Sequence, residues 1–338
     1  MRNHEVTTKH KLLENGSLKE PGWSTSLLQE YNRKDIKANK LRIKEWDYYL
    51  VIGKGFGVAM TISDDGYIGL QSVSFLDFTK KWEHTETILN VLPLGKLHMP
   101  SSSETGITAY QDKRLSMKFE VEPGKRILTC QFHDFYQKKD LSFHITLSHP
   151  PMDTMVIATP WKGKKYAFYY NQKINCMRAS GYVDFDNKRY VFDEQSDFGT
   201  LDWGRGVWTY DNTWYWGSGN MDIDGHSFGF NIGYGFGDTS AASENILFYD
   251  GVAHKLDDIT FHIPDHHMNP WKITSSDQRF EMTFTPLLDR AAKISAVLIS
   301  SDQHQVFGHM NGIAILDDGT KIQVHDMLCF AEFVHNRY

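Results

Sequence analysis

Cysteine is scarce in this chain of 338 residues, with three at positions 130, 176 and 329. An odd set at wide spacing matches neither a disulfide framework nor a metal-binding pattern. It reads instead as buried free thiols in a protein of the reducing cytoplasm. No apolar run approaches the ~18 residues that a membrane-crossing helix needs, so no integral membrane segment is expected. Residues 1–11 are polar and lack the apolar centre of a cleaved export signal, so none is expected. A basic excess is missing as well: 36 Lys and Arg stand against 42 Asp and Glu, a formal charge of −6. That argues against a nucleic-acid partner, whose footprint is a basic face. Helix signals are weak. The best stretch, 26–38, follows Pro21-Gly22 and carries Leu27, Leu28, Tyr31 and Ile36 in a loose helical stripe, which predicts one short peripheral helix.

Rings and glycines are plentiful: 21 Phe, 16 Tyr, 9 Trp and 26 Gly. That balance favours an all-β chain with ring-lined interiors. From residue 41 onward, aromatic and β-branched runs recur at short intervals, separated by turn clusters such as Asp64-Asp65-Gly66, Glu122-Pro123-Gly124-Lys125 and Asp186-Asn187. No alternation of strand and helix supports a parallel sheet. Gly53-Lys54-Gly55-Phe56-Gly57 is echoed by Gly233-Tyr234-Gly235-Phe236-Gly237, consistent with two related β units. The expected organisation is an N-terminal segment with the helix (1–40), a first β domain (41–160) and a second (161–338).

The glycine echo is not a dinucleotide fingerprint, because strand continues after Gly57 where a helix is required. Residues 201–219 hold four of the nine tryptophans, Trp203, Trp208, Trp214 and Trp216, with Asp202, Arg205 and Tyr210 among them. Trp214 and Trp216 lie two apart and share one face of a strand. Trp203 and Trp208 flank Arg205, whose guanidinium can rest between indoles and still donate. Two readings stand: a ring-walled pocket with one acid and one fixed cation, or an aromatic core plug tied by an Arg205–Asp202 pair. Glu244, beside Asn231 and Asn245, precedes the apolar run 246–249. Facing an apolar interior it becomes a neutral acid able to donate a proton; at a strand end it is an ordinary solvated charge. His304 is a further acid–base candidate or a surface residue. Ser275-Ser276-Asp277-Gln278-Arg279 and Asp289-Arg290 read as turns with local ion pairs. His254, His262, His266 and His267 lie near one another but match no zinc spacing, so no metal and no cofactor is expected.

Tyr169-Tyr170-Asn171-Gln172-Lys173-Ile174-Asn175-Cys176 and Leu201-Asp202-Trp203-Gly204-Arg205-Gly206-Val207-Trp208 resemble the DUF2804 family. So do Gly235-Phe236-Gly237-Asp238, Glu244-Asn245, Ser275-Ser276-Asp277, His304-Gln305-Val306-Phe307-Gly308 and the ending Ala331-Glu332-Phe333-Val334-His335-Asn336-Arg337. The resemblance runs from about residue 12 to 338 and carries no activity. Over 169–219 the pattern is more remotely similar to the lipocalin-like superfamily of carotenoid 1,2-hydratases and tocopherol cyclases. That likeness implies two lipocalin-like (calycin-type) antiparallel β-barrels in tandem. It also implies binding of polyene or prenyl chains and acid-initiated chemistry shielded by aromatic walls. Arg205 departs from that pattern, since a cation sits uneasily in a cation-stabilising pocket.

The expected function is binding of a hydrophobic small molecule, with lyase-, hydratase- or isomerase-type chemistry. Asp202 or Glu244 would be the acid, with His304 a further candidate. Arg205 would hold an anionic group or set the acidity of Asp202. Trp203, Trp208, Tyr210, Trp214, Trp216, Asn231 and Asn245 would contact ligand. A non-catalytic carrier and a sugar-binding protein with exposed tryptophans are the alternatives. The sequence leaves the oligomeric state open.

Overall fold

The computed structural model describes residues 3–296 and 299–337. It is all-β: two strongly curled antiparallel half-barrels, with no α-helix of seven residues or more among the described residues. The main path of the first sheet has ten strands and begins at Gly106–Gln111. It passes through Lys164–Phe185, Phe198–Val207 and Ile43–Gly53 at its centre and ends at Trp82–Val91. The second sheet has nine strands, with Asp211–Ile223, Lys321–Arg337, Ile299–Ile315 and Phe280–Ala296 as consecutive neighbours. The outermost strands of each path do not pair with each other, so each unit is an open half-barrel where the sequence points to a closed one. The changeover between sheets falls at residues 208–210. Lys164–Phe185 and Phe198–Val207 therefore lie in the first sheet, although the sequence boundary at 160/161 assigns them to the second unit.

The stretch 26–38 is not a helix. Gln29–Glu30 is a short parallel strand, and Arg33–Asp35 is a single 3-10 turn started by the Asn32 side chain. Long-range bonds override the loose stripe: the Gln29 amide donates to Glu20 O, and the Tyr31 hydroxyl donates to Glu45.

Alternation explains the layout. Along Ile43–Gly53, Tyr49 and Val51 enter the core inside the first sheet, while Tyr48 and Leu50 enter a separate core between the sheets. Phe198–Val207 is buried at all ten positions because it is covered on both faces. A bulge at Asn175–Cys176 turns the Asn175 amide out of the first sheet, where it donates to Ser218 Oγ (2.8 Å) and Phe230 O (3.1 Å) of the second. The three cysteines are buried and free. Among the described residues, no helix is long and apolar enough to cross a membrane.

Candidate functional site

Two ladders of side chains face each other across the gap between the sheets. In the first sheet, Lys173 is the cross-strand neighbour of Asp202, and Asp202 of Tyr48. In the second, Trp216 neighbours Glu332, and Glu332 neighbours Gln305. The ladders meet in register. Lys173 Nζ lies 3.8 Å from the Trp216 ring centroid, and the Tyr48 hydroxyl donates to Gln305 Oε1 at 3.3 Å. Residues two apart on one strand share a face, which puts Tyr169, Asn171 and Lys173 together and adds Trp214 beside Trp216.

The fixed charges are paired. Lys173 Nζ sits 2.9 Å from Asp202 Oδ2, and Asn171 Nδ2 donates to Asp202 Oδ1 at 2.6 Å. Glu332 accepts from Trp214 Nε1 (3.0 Å) and Gln305 Nε2 (3.1 Å). Trp216 Nε1 donates to Asn231 Oδ1, and Asn231 Nδ2 donates to the backbone oxygen of Glu244. Burial pushes the carboxyls of Glu244 and Glu332 up to about 7, against the pull of Lys173 on both. Burial likewise pushes Tyr48 up to about 12 and Tyr169 upward.

Several buried polar atoms at this face have no hydrogen-bond partner among the described residues: both carboxyl oxygens of Glu244, the Tyr169 hydroxyl, Trp208 Nε1 and Asn171 Oδ1. Glu244 and Tyr169 are close enough to influence each other electrostatically. Around them the rings pack on one another. Tyr169 stacks on Phe236 (4.9 Å, 14°), and Trp208 stands edge-on to Trp46 (5.6 Å) and Trp214 (5.3 Å). Gly204 leaves room for the Trp46 indole, which a methyl there would overlap. The turn at Gly235–Gly237 delivers Phe236; Gly237 takes φ +77° with its α-carbon against Pro160 O, a position only glycine fills freely. The rings therefore fill the space that the sequence reading assigns to a cavity. A 360 Å³ cavity lies elsewhere, at Asp140, Ser142 and the polar hairpin around Asp184 and Arg189.

Asp202, Glu244, Trp208, Trp214, Trp216 and Asn231 thus come together. Arg205 and Trp203 do not. Three positions after Asp202, Arg205 points to the opposite face, inside the first sheet. There it pairs with Asp47 (3.0 Å) and lies 4.2 Å over Trp203. An Arg205–Asp202 pair is excluded by this alternation. Tyr210 is 53% exposed in the changeover between sheets. Asn245 ties strand ends together, accepting from Gly233 N and donating to Asp257 O. His304 lies on the far face of the second sheet, bonded to Asp289. Asp289 and Arg290 lie within the strand Phe280–Ala296, not in a turn. Trp216 is 4% exposed, so it offers no open platform to a sugar. Sequence reasoning missed Lys173, Glu332, Tyr48, Tyr169, Asn171 and Gln305. The available signal was a lone charge inside an apolar run at Ala331-Glu332-Phe333 and a lone charge among amides at Asn171-Gln172-Lys173.

The family model described as "Domain of unknown function (DUF2804)" matches residues 3–338. Among curated proteins, none matches the chain. Of solved structures, an AttH-type protein of Nitrosomonas europaea is 12% identical with a TM-score of 0.53, covering 90% of this chain and 95% of its own. CghA in complex with Sch210972 is 10% identical with a TM-score of 0.53, covering 98% and 96%. Kievitone hydratase from Nectria haematococca is 10% identical with a TM-score of 0.46, covering 87% and 88%. The first two likenesses show a shared fold.

Proposed function

This chain belongs to the DUF2804 family, and we propose that it binds a hydrophobic small molecule between its two sheets and protonates it. The observation that carries this reading is Glu244: a fully buried acid, pushed up to about 7, with the Asn231 amide and the Tyr169 hydroxyl as neighbours and neither oxygen in full hydrogen-bond geometry. Burial favours the neutral form of such an acid, which then holds a proton to give near neutral pH. An unsatisfied buried polar group costs ~1–3 kcal/mol. The orphaned atoms of Glu244, Tyr169, Trp208 and Asn171 gather at one face, where a ligand would satisfy them together. CghA, which shares the fold, holds Sch210972.

Glu244 gives its proton to an alkene or carbonyl of the ligand, and the resulting cation lies among the faces of Trp208, Trp214 and Phe236. Water then adds to the cation and returns one proton to the ionised Glu244, a hydration, or the cation loses a carbon-bound proton to Glu244, an isomerisation; either step restores the acid. Lys173 and Asp202 hold an internal ion pair that fixes the field without adding net charge. Opening of the ring cluster admits the ligand.

Native mass spectrometry of the protein purified from its own host, with extraction of what co-purifies, tests this directly. A stoichiometric apolar ligand is expected, retained by Glu244→Gln and converted only by the unsubstituted chain. Retention without conversion in either protein keeps the binding and removes the acid step. A polar ligand, or apolar binding indifferent to Trp208→Ala, overturns the site.

A further inference from the structure

Three neighbouring strands of the second sheet present alternate residues to opposite sides. Arg290, Gln305 and Glu332 face the first sheet. One position away, Asp289, His304 and Phe333 face the other side, where Phe333 stacks on His304 at 4.8 Å and 18°. His267, from the connection after Ile259–His262, reaches the same point. Its Nε2 lies 2.9 Å from Asp289 Oδ2, and His304 Nδ1 lies 2.7 Å from that same oxygen. One ligand atom from each residue lies within 4.8 Å of the other two.

We propose that His267, His304 and Asp289 form a site for one divalent first-row transition ion of the zinc class. Bonds of 2.0–2.1 Å in a tetrahedral site set donors about 3.3 Å apart, a spacing these side chains reach by small rotations. Two imidazoles and one carboxylate suit zinc-class ions and disfavour magnesium or calcium, which take oxygen ligands. The supports of a metal site are in place. His304 Nε2 lies 3.5 Å from Asp302 Oδ1, the carboxylate–histidine arrangement that orients a ligating ring. Trp271 Nε1 donates to His267 O at 2.6 Å and holds the connection in place. Phe333 stands edge-on to His267 at 5.6 Å. Both histidines address one oxygen of Asp289 while its other oxygen, Oδ1, is buried with no partner. The three side chains are 17–29% exposed, so an ion reaches them and a water completes the coordination.

The histidine cluster in sequence conceals this site. Only His267 of that cluster takes part, and its partners come from two strands further along the chain. The site stands independently of the function proposed for the opposite face.

The test uses the full chain, stripped with a chelator, dialysed and titrated with Zn²⁺ and, separately, Co²⁺. A single equivalent is expected, with Co²⁺ giving the visible bands of a low-coordinate nitrogen–oxygen site. Asp289→Asn and His304→Gln each weaken binding at least about tenfold, while His266→Gln, outside the trio, leaves it unchanged. His304→Gln keeps a polar group of similar length and serves if Asp289→Asn fails to fold, with circular dichroism confirming the fold. Uptake unaffected by His304→Gln places the ion among other histidines and overturns the proposal. Absence of uptake by the folded, stripped chain also overturns it and leaves the trio a hydrogen-bonded cap.

Discussion

The strand Phe198–Val207 carries a buried charge on each face, and the two are treated differently. Inside the first sheet, Arg205 donates to Trp46 O, Asp47 Oδ1, Gly204 O and Pro100 O, and Asp47 also accepts from Thr108. Only its Nε is left over. Between the sheets, Asp202 is paired, but Glu244 nearby has neither oxygen satisfied. Burial of charge therefore does not by itself mark a site. A cation with four hydrogen bonds and a counter-ion is a fastening; a buried acid raised to about 7 and left short of full hydrogen-bond geometry has a proton to give.

The largest effect that sharpens this contrast is expected from Arg205→Met. It leaves Asp47 buried without its counter-ion and costs about 3–5 kcal/mol, read as a fall in the urea midpoint. Ligand retained per folded molecule is unchanged. Loss of ligand from the folded variant would place Arg205 in the site after all.

An effect of opposite sign, smaller for each acid taken singly, is expected from Glu244→Gln with Glu332→Gln. Both acids are raised from the ordinary 4.5 to about 7 in the fold. The native state thus holds protons that the unfolded chain releases, and the contribution of these two acids to stability is full below pH 4.5 and is lost as pH rises through 7. The double variant flattens that decline. Above pH 7 it is more stable than the unsubstituted chain by roughly 1–3 kcal/mol per acid. Denaturant titrations at pH 5 and pH 8 check this, and an unchanged slope with pH would put the titration elsewhere. The smallest effect is expected from Tyr48→Phe, which removes the 3.3 Å bond to Gln305 and costs about 0.5–1.5 kcal/mol. A larger loss would mean that the two ladders depend on that contact for their register.

The strand rhythm was legible because turns announce themselves locally. Asp64-Asp65-Gly66 and Asp186-Asn187 both separate paired strands, and Gly55 and Asn187 take the positive φ that tight turns need. The helix at 26–38 failed because its stripe was weak and its residues are claimed by partners outside the stretch, Glu20 and Tyr170 for Gln29 and Glu45 for Tyr31. Half of the site was legible in the density of tryptophans at 203–216. The other half was not, because Lys173 and Glu332 join Asp202 through cross-strand register and sheet packing, which no short spacing encodes.

By itself, the sequence determined the class of the fold, the free thiols and the positions at which charge interrupts apolar runs. These follow from composition and from properties local to a few residues. Only the tertiary structure decided which side of a doubly covered strand each charge faces. Asp202 and Arg205, three residues apart, part to opposite faces. Asp289 and Arg290, adjacent in the chain, part in the same way. The period of two in a strand makes neighbours in sequence strangers in space, and the packing of the second sheet onto the first decides which of them share a site.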